Sequence, residues 1–224
     1  MFAKRETNDP AKVLRLRAAE WSRNEALRIT PRRRWDTDPA VKRMVVHRRD
    51  IGELALTPMR WGLVPEWSRD TQEPRPLTNI AAEAVGEQIE WRRLLNTHRG
   101  VVPTEQFFEW KRVNGVKTRE YGFRLRNRRP MMIAALWNRT PGTAESFAYI
   151  SCEANRLVSL VHDRMPVILD DGDVATWLNP NATLESLLAL MQPVAGEELE
   201  LRAVGQPDAK AKPYQPSLFA NRAA

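Results

Sequence analysis

The chain has 224 residues, of which 42% are hydrophobic and 28% charged, a composition typical of one compact domain or one domain with a tail. Its single cysteine, Cys152, excludes a disulfide framework and a cysteine-rich zinc site, and favours a reducing compartment. No apolar run reaches the ~18 residues of a membrane span, and the first residues have no apolar signal-peptide segment. These features predict a soluble, cytoplasmic protein.

The net charge of +7 lies in the first quarter of the chain. Residues 1–60 contain 15 basic and 8 acidic side chains, whereas residues 61–224 contain 20 of each. The basic run Arg32-Arg33-Arg34 precedes Trp35, and arginine beside aromatic residues is typical of proteins that bind a nucleic-acid backbone and stacked bases. On charge alone, a polyanion partner and a solvated basic face without a partner remain alternatives.

Hydrophobic periodicity and turn residues predict strands interspersed with a few helices. In chain order the predicted elements are a helix over 10–29, a strand pair over 44–46 and 54–61, an irregular segment over 70–78, a helix over 87–96, strands over 100–103, 121–125, 131–136 and 147–152, a strand leading on from 162–169, helices over 172–178 and 183–191, and a strand over 199–204. Because helices and strands do not alternate, the predicted fold class is α+β. Residues 1–204 would form one domain, and residues 205–224 a flexible C-terminal tail.

Common catalytic and cofactor motifs are not found in the sequence. It has no glycine-rich phosphate loop, no His-Glu-x-x-His string and no nucleophile elbow. The three histidines, His47, His98 and His162, are far apart in sequence and lack the spacing of metal ligands. We therefore expect no metal and no cofactor.

The string His162-Asp163-Arg164-Met165-Pro166 places three ionisable groups directly before an apolar strand. Histidine is the side chain that changes charge between pH 5 and 8, and arginine binds phosphates and carboxylates. The alternative interpretation is a salt-bridged turn that caps the strand.

Two further polar residues are candidates for chemistry. Glu109 stands among three large aromatics in Phe107-Phe108-Glu109-Trp110, and desolvation by such neighbours would raise its pKa and suit it to acid–base catalysis. The alternative is an edge-strand glutamate that faces water. Asn79 follows a proline-containing segment, where an asparagine is also typical of a turn or cap.

Taken together, these segments resemble the SOS response-associated peptidase (SRAP) family in order and spacing, over roughly residues 1–204. The resemblance is carried by Met59-Arg60-Trp61-Gly62-Leu63-Val64-Pro65-Glu66-Trp67, by Asn79-Ile80-Ala81-Ala82-Glu83, by Val102-Pro103 with Phe107-Phe108-Glu109-Trp110, by Leu136-Trp137, and by Glu153-Ala154-Asn155 with His162-Asp163-Arg164-Met165-Pro166-Val167-Ile168-Leu169.

The resemblance implies an α+β fold with a curved, mostly antiparallel, barrel-like sheet, flanked by a few helices, and a basic groove for single-stranded DNA. Members of the family act at abasic sites. An N-terminal cysteine, exposed by removal of the initiator methionine, traps the open-chain sugar aldehyde as a thiazolidine. The family name also implies peptidase activity, seen as removal of the protein's own N-terminal residues.

The same resemblance assigns roles to individual residues. Asn79 would position the sugar, Glu109 would transfer protons at the aldehyde, and His162 would assist ring opening or reversal of the link. By the same resemblance, Trp67 and Arg164 match groove positions that contact DNA. Together with Lys4 and the basic run Arg32, Arg33 and Arg34, they are the residues predicted to bind DNA.

The sequence departs from the family pattern at its start. The family begins Met-Cys-Gly-Arg, whereas this chain begins Met1-Phe2-Ala3-Lys4, so position 2 offers no thiol. An arginine of the family motif Asn-x-Arg-x-Glu is here Ala81. Cys152 falls in a predicted strand and is expected to be a core residue. Covalent thiazolidine capture is therefore expected to be lost.

Three functions remain open on the sequence. The first is binding of single-stranded or abasic DNA in the DNA damage response without covalent capture. The second is an active abasic-site lyase or peptidase that uses the Met1 amine with Glu109 and His162. The third is an adaptor, because the tail string Gln215-Pro216-Ser217-Leu218-Phe219 resembles the peptide by which bacterial repair proteins bind the sliding clamp. In that string, Gln215, Leu218 and Phe219 would contact the clamp. The alternative is that the tail folds back and packs Leu218 and Phe219 on the domain.

Overall fold

The computed structural model describes residues 42–48, 54–66, 76–139 and 145–205. The helix predicted over 10–29 and the flexible tail predicted from 205 onward lie outside these ranges, except for Gly205 itself. No helix among the described residues is long and apolar enough to cross a membrane.

The described residues form two sheets and four short helices. In chain order the elements are β1 (Lys42–Arg48), β2 (Leu54–Trp61), β3 (Asn79–Ala81), α1 (Ala82–Glu87), α2 (Ile89–Thr97), β4 (Arg99–Thr104), β5 (Phe107–Val113), β6 (Val116–Leu125), β7 (Met131–Asn138), β8 (Ser146–Glu153), β9 (Arg164–Pro166), β10 (Ile168–Leu169), α3 (Asp171–Trp177), α4 (Leu184–Ala189) and β11 (Leu199–Gly205). Short 3-10 turns cover Val158–Leu160 and Gly196–Glu198.

The larger sheet closes into a ring. Its strands follow the order β7-β4-β1-β2-β8, and β8 pairs again with β7. The pairs of β8 with β2 and with β3 are parallel, and the other pairs among the described strands are antiparallel. This arrangement confirms the expected α+β fold with a curved, mostly antiparallel sheet.

Side chains from all five strands fill the inside of the ring. This inner cluster consists of Val45, Met59, Trp61, Val102, Ala135, Trp137 and Phe147. Because side chains alternate along a strand, their neighbours point outward and join a second, larger core under the helices and the smaller sheet. Gly100 fits this crowding, since an added Cβ would lie 2.6 Å from Val45 Cγ1.

Helices α2 and α3 are attached to the ring by one buried arginine. In α2, Trp91 and Leu95 are four residues apart and face the larger core. Arg99 of β4, 8% exposed, donates hydrogen bonds to the carbonyls of Leu95, Asn96, Trp177 and Asn179. These carbonyls lie at or near the C-terminal ends of α2 and α3, where helices leave acceptors without internal partners.

The smaller sheet has the order β11-β6-β5, so β5 is one of its edge strands. Its β5–β6 hairpin turns at Asn114 and Gly115, whose φ angles are 50° and 78°. Asparagine followed by glycine is the usual pair for a two-residue hairpin turn with positive φ angles. Sequence reasoning predicted β6 only from residue 121 and missed this turn signal.

Candidate active site

Asn79 begins a short strand rather than a turn or cap. It lies opposite Tyr149 of β8 in a parallel pair, and its Nδ2 donates to Thr78 Oγ1 at 3.3 Å. The N-cap of the following helix is Ala81, which makes no side-chain capping bond. The turn-or-cap interpretation of Asn79 is therefore wrong, because pairing with a distant strand decides its conformation.

Two strands bring the candidate residues to the same part of β8. Asn79 and the rest of β3 pair with Tyr149–Ser151, and β9 pairs antiparallel with Ser151–Glu153. Arg164 lies opposite Glu153 in this second pair. Residues that are 85 positions apart in sequence thus flank one strand.

Glu109 lies on edge strand β5 but turns toward the protein. It pairs with Tyr121 in the hairpin, its side chain is 20% exposed, and its Oε2 lies 3.8 Å from His162 Nε2. The sequence predicted either a desolvated carboxyl or an edge-strand glutamate that faces water. Glu109 does lie on an edge strand, but its carboxyl is largely shielded from water. The smaller sheet thereby presents an acid to the histidine that precedes β9.

Burial raises the pKa of Glu109 from 4.5 to about 7. The positive charge available on His162 and the backbone N–H of Trp110 act in the opposite direction but do not cancel the effect of burial. A carboxyl with this pKa is present in both protonation states near neutral pH. It can therefore donate or accept a proton there.

The other ring nitrogen of His162 is held by backbone and side-chain groups of the same turn. The N–H of Arg164 donates to Nδ1 at 3.0 Å, which places the proton of the neutral ring on Nε2, facing Glu109. The carbonyl oxygen of Arg164 at 3.2 Å and Asp163 Oδ1 at 3.1 Å can accept from Nδ1 when the ring is charged. Nδ1 therefore has a partner in both charge states.

The guanidinium of Arg164 is held by two neighbours. Nη1 and Nη2 donate to the two carboxylate oxygens of Glu83 at 2.9 and 2.8 Å, and Nη2 also donates to the carbonyl of Ser151 at 2.6 Å. The hydrogen bonds from Arg164 hold the pKa of Glu83 below its usual range. Sequence reasoning gave Glu83 no role, because nothing in the sequence relates residues 81 positions apart.

Cys152 is a core residue, as predicted. It lies in β8, is 3% exposed, and burial raises the pKa of its thiol to about 11. The thiol form thus dominates near neutral pH, and thiolate is the nucleophilic form of cysteine. Cys152 therefore cannot replace an N-terminal cysteine as a nucleophile.

Several predicted site residues lie outside the described ranges. These are Lys4, Arg32, Arg33, Arg34, Trp67, Gln215, Leu218 and Phe219. Within the described ranges, no group of three His, Cys, Asp or Glu residues could hold a metal ion. The described candidates are Asn79, Glu109, His162 and Arg164, and a direct contact links Glu109 to His162.

Comparison with known proteins identifies the family of this chain. The family model described as SOS response associated peptidase (SRAP) matches residues 4–207. The chain belongs to the SRAP family.

Several relatives share the name of abasic site processing protein. The chain is 32% identical to YoqW of Bacillus subtilis over 169 residues, which are 73% of this chain and 75% of that protein. It is 26% identical to YedK of Escherichia coli over 181 residues, which cover 79% and 78% of the two chains. It is 28% identical to HMCES of Xenopus tropicalis over 65% of this chain and 51% of that protein.

Solved structures show the same fold at lower identity. A protein from Bacteroides thetaiotaomicron superimposes with a TM-score of 0.63 at 24% identity, over 73% of this chain and 74% of that chain. A phage-related protein from Bordetella bronchiseptica gives a TM-score of 0.62 at 21% identity, over 74% and 79% of the two chains.

Proposed function

We propose that this protein binds single-stranded DNA at abasic sites as part of the DNA damage response, and that it no longer captures the lesion as a thiazolidine. The observation that carries the proposal is the pair of Glu109 and His162, 3.8 Å apart, in a chain of the SRAP family. The names of the relatives YoqW, YedK and HMCES give the substrate class.

In this proposal the described residues act on the open-chain sugar. Glu109, with a pKa of about 7, exchanges a proton with the oxygen of the aldehyde or of its adduct. His162 supplies a second exchangeable proton at Nε2, next to the Glu109 carboxyl. Asn79 offers an amide that can hydrogen-bond to a sugar hydroxyl.

The proposed DNA groove is formed by Lys4, Arg32, Arg33, Arg34, Trp67 and Arg164. Of the five N–H donors of Arg164, the contacts with Glu83 and Ser151 occupy three. The remaining two can bind a phosphate oxygen while the Glu83 pair stays intact.

Two positions, Phe2 and Cys152, support the proposed loss of covalent capture. A thiazolidine needs an amine and a thiol on the same residue, and Phe2 has no thiol. Cys152 is buried with a pKa of about 11 and carries no free amine. The aldehyde can therefore be bound only reversibly or as an imine.

The retained acid–base pair supports a second candidate, a weak abasic-site lyase. The Met1 amine, with an ordinary pKa of ~8, would add to C1′ of the aldehyde, and a proton from Glu109 would let the hydroxyl leave as water. The resulting imine acidifies C2′. Transfer of a proton from C2′ to the Glu109 carboxylate, which the loss of water has left deprotonated, then breaks the C3′–O bond, expels the 3′ phosphate and cuts the strand.

Phe2→Cys is expected to restore a heat-stable crosslink to an abasic single strand. The small residue allows removal of Met1, and the exposed cysteine then supplies both the amine and the thiol. The measurement is a shifted band on a denaturing gel after incubation with an abasic oligonucleotide, with and without borohydride.

Phe2→Ser is the matched control, because it allows removal of Met1 without adding a thiol. We expect it to crosslink only with borohydride, which reduces an imine to a stable amine. The wild type should behave like the serine variant and should cut the strand slowly if it is a lyase. A heat-stable wild-type crosslink at stoichiometric yield without borohydride would contradict the loss of capture.

The adaptor role is proposed for the tail. A peptide of residues 211–222 is expected to bind a bacterial sliding clamp with a Kd in the micromolar range, about −8 kcal/mol, since two adjacent apolar anchors fill a preformed pocket. Titration calorimetry of that peptide measures this. Binding that persists after Leu218→Ala and Phe219→Ala, or no binding at ~100 μM, removes the clamp from the proposal.

A further inference from the structure

The hairpin of β5 and β6 carries like charges opposite each other. Lys111 lies opposite Arg119, and Arg112 lies opposite Lys117. The segment from 111 to 119 contains these four basic residues and no acidic one. Like charges directly opposite in an antiparallel pair destabilise a hairpin, so a bound anion would offset part of the repulsion.

Two of the four cations are already engaged within the hairpin. Arg112 Nη1 donates to the carbonyl of Gly115 at 3.0 Å, and Lys117 Nζ lies 5.5 Å from the centre of the Trp110 ring. Lys111 and Arg119 are exposed, and no ion pair between described residues joins either of them to an acid. They are therefore the cations available to a partner.

The hairpin has a tight turn and an apolar tip. The Asn114–Gly115 turn has positive φ angles at both residues, which match the twist of a two-residue hairpin. Val113 and Val116 flank the turn and are 52% and 65% exposed. A hairpin with cations along its strands and two exposed valines at its end offers charge to a phosphate and an apolar surface to an unstacked base.

The hairpin begins at the candidate site, because its first strand, β5, carries Glu109. Lys111 is two residues beyond Glu109 on the same strand, which corresponds to about 7 Å, and Val113 is about 13 Å away. When the abasic sugar of a DNA strand contacts Glu109, the neighbouring phosphates of that DNA strand therefore lie within reach of Lys111 and Arg119.

We propose that the β5–β6 hairpin is a binding surface for the phosphodiester backbone of single-stranded DNA beside the abasic nucleotide, with Lys111 and Arg119 as its phosphate contacts. This inference rests on the proposed function and extends it by assigning the flanking nucleotides to the hairpin. Val113 and Val116 pack against the unstacked base at the end of that contact.

The test compares Lys111→Gln/Arg119→Gln with wild type, using fluorescence anisotropy of a short abasic single strand at several salt concentrations. Each lost phosphate contact lowers the slope of log affinity against log salt by about 0.7, so the double variant is expected to lower it by ~1.4 and to bind roughly tenfold more weakly at low salt. Val113→Ser/Val116→Ser is expected to weaken binding with the slope unchanged.

The matched control is Arg92→Gln/Arg93→Gln, which removes two exposed charges from α2 and should leave the slope near that of wild type. A thermal melt separates folding from binding, because removing the like-charge pair should keep or raise the Tm. If the wild type binds the abasic strand and Lys111→Gln/Arg119→Gln leaves the slope of log affinity against log salt unchanged, the hairpin is not the binding surface, and the proposed function still stands. An equal loss of affinity in Lys111→Gln/Arg119→Gln and in the control Arg92→Gln/Arg93→Gln also overturns the hairpin surface. If the wild type does not bind the abasic strand, the proposed function is overturned as well.

Discussion

Glu109→Gln is expected to remove the loss of stability that the Glu109 carboxyl causes in the wild type between pH 4.5 and 7. The folded state keeps a proton on Glu109 up to a pKa of about 7, whereas the unfolded chain releases it near 4.5. The contribution of the protonated Glu109 carboxyl to the free energy of unfolding is thus fully present below pH 4.5 and is lost as the pH rises through 7. The difference corresponds to up to about 3 kcal/mol.

Urea unfolding at pH 5 and pH 8 measures this effect for the wild type, the Glu109→Gln variant and Glu90→Gln, an exposed control on α2. The glutamine variant should gain stability over the wild type at pH 8 and little at pH 5. The same variant should slow any strand scission by roughly 10²- to 10⁴-fold, since general acid–base catalysis contributes about that much. Equal pH dependence in wild type and variant would show that Glu109 is not shielded in solution.

Arg99→Met is expected to destabilise the protein by about 3–5 kcal/mol, the largest loss we expect from one substitution outside the site, because several shielded carbonyls lose their donor. Arg99 donates to four carbonyls at or near the ends of α2 and α3, and methionine fills similar space but donates nothing. The four carbonyls would then stay shielded from water without a hydrogen-bond donor. Leaving such carbonyls unsatisfied lowers the free energy of unfolding by more than the hydrogen bonds themselves contribute.

Arg99→Lys tests whether charge alone is sufficient. A lysine keeps the charge but has three donors on one atom, so it cannot reach carbonyls of two helices at once. We expect a loss of about 2–3 kcal/mol for this variant. Arg93→Met, on the exposed face of α2, is the control and should change the free energy of unfolding by less than about 0.5 kcal/mol. An Arg99→Met variant within 1 kcal/mol of the wild type, about the net value of one hydrogen bond, would remove the proposed role of Arg99.

Much of the local structure could be predicted from the sequence because it depends on neighbouring residues. The strand pair expected over 44–46 and 54–61 is β1 and β2, and the helix expected over 87–96 is α2. The spacing of apolar residues within a short window indicates such elements without knowledge of distant contacts. The short strand at Asn79 was missed, since three residues carry no period and the strand forms only by pairing with β8.

The sequence by itself determined the family, the fold class and the burial of Cys152, and it supplied the candidate site residues. Only the tertiary structure decided that β7 and β8 close a ring, that Glu109 meets His162, and that Glu83 binds Arg164. The physical reason is separation along the chain. These contacts join residues tens of positions apart, and their geometry depends on the packing of whole strands rather than on the properties of nearby side chains. The raised pKa of Glu109 follows from the same packing, because burial rather than the aromatic string alone removes its carboxyl from water.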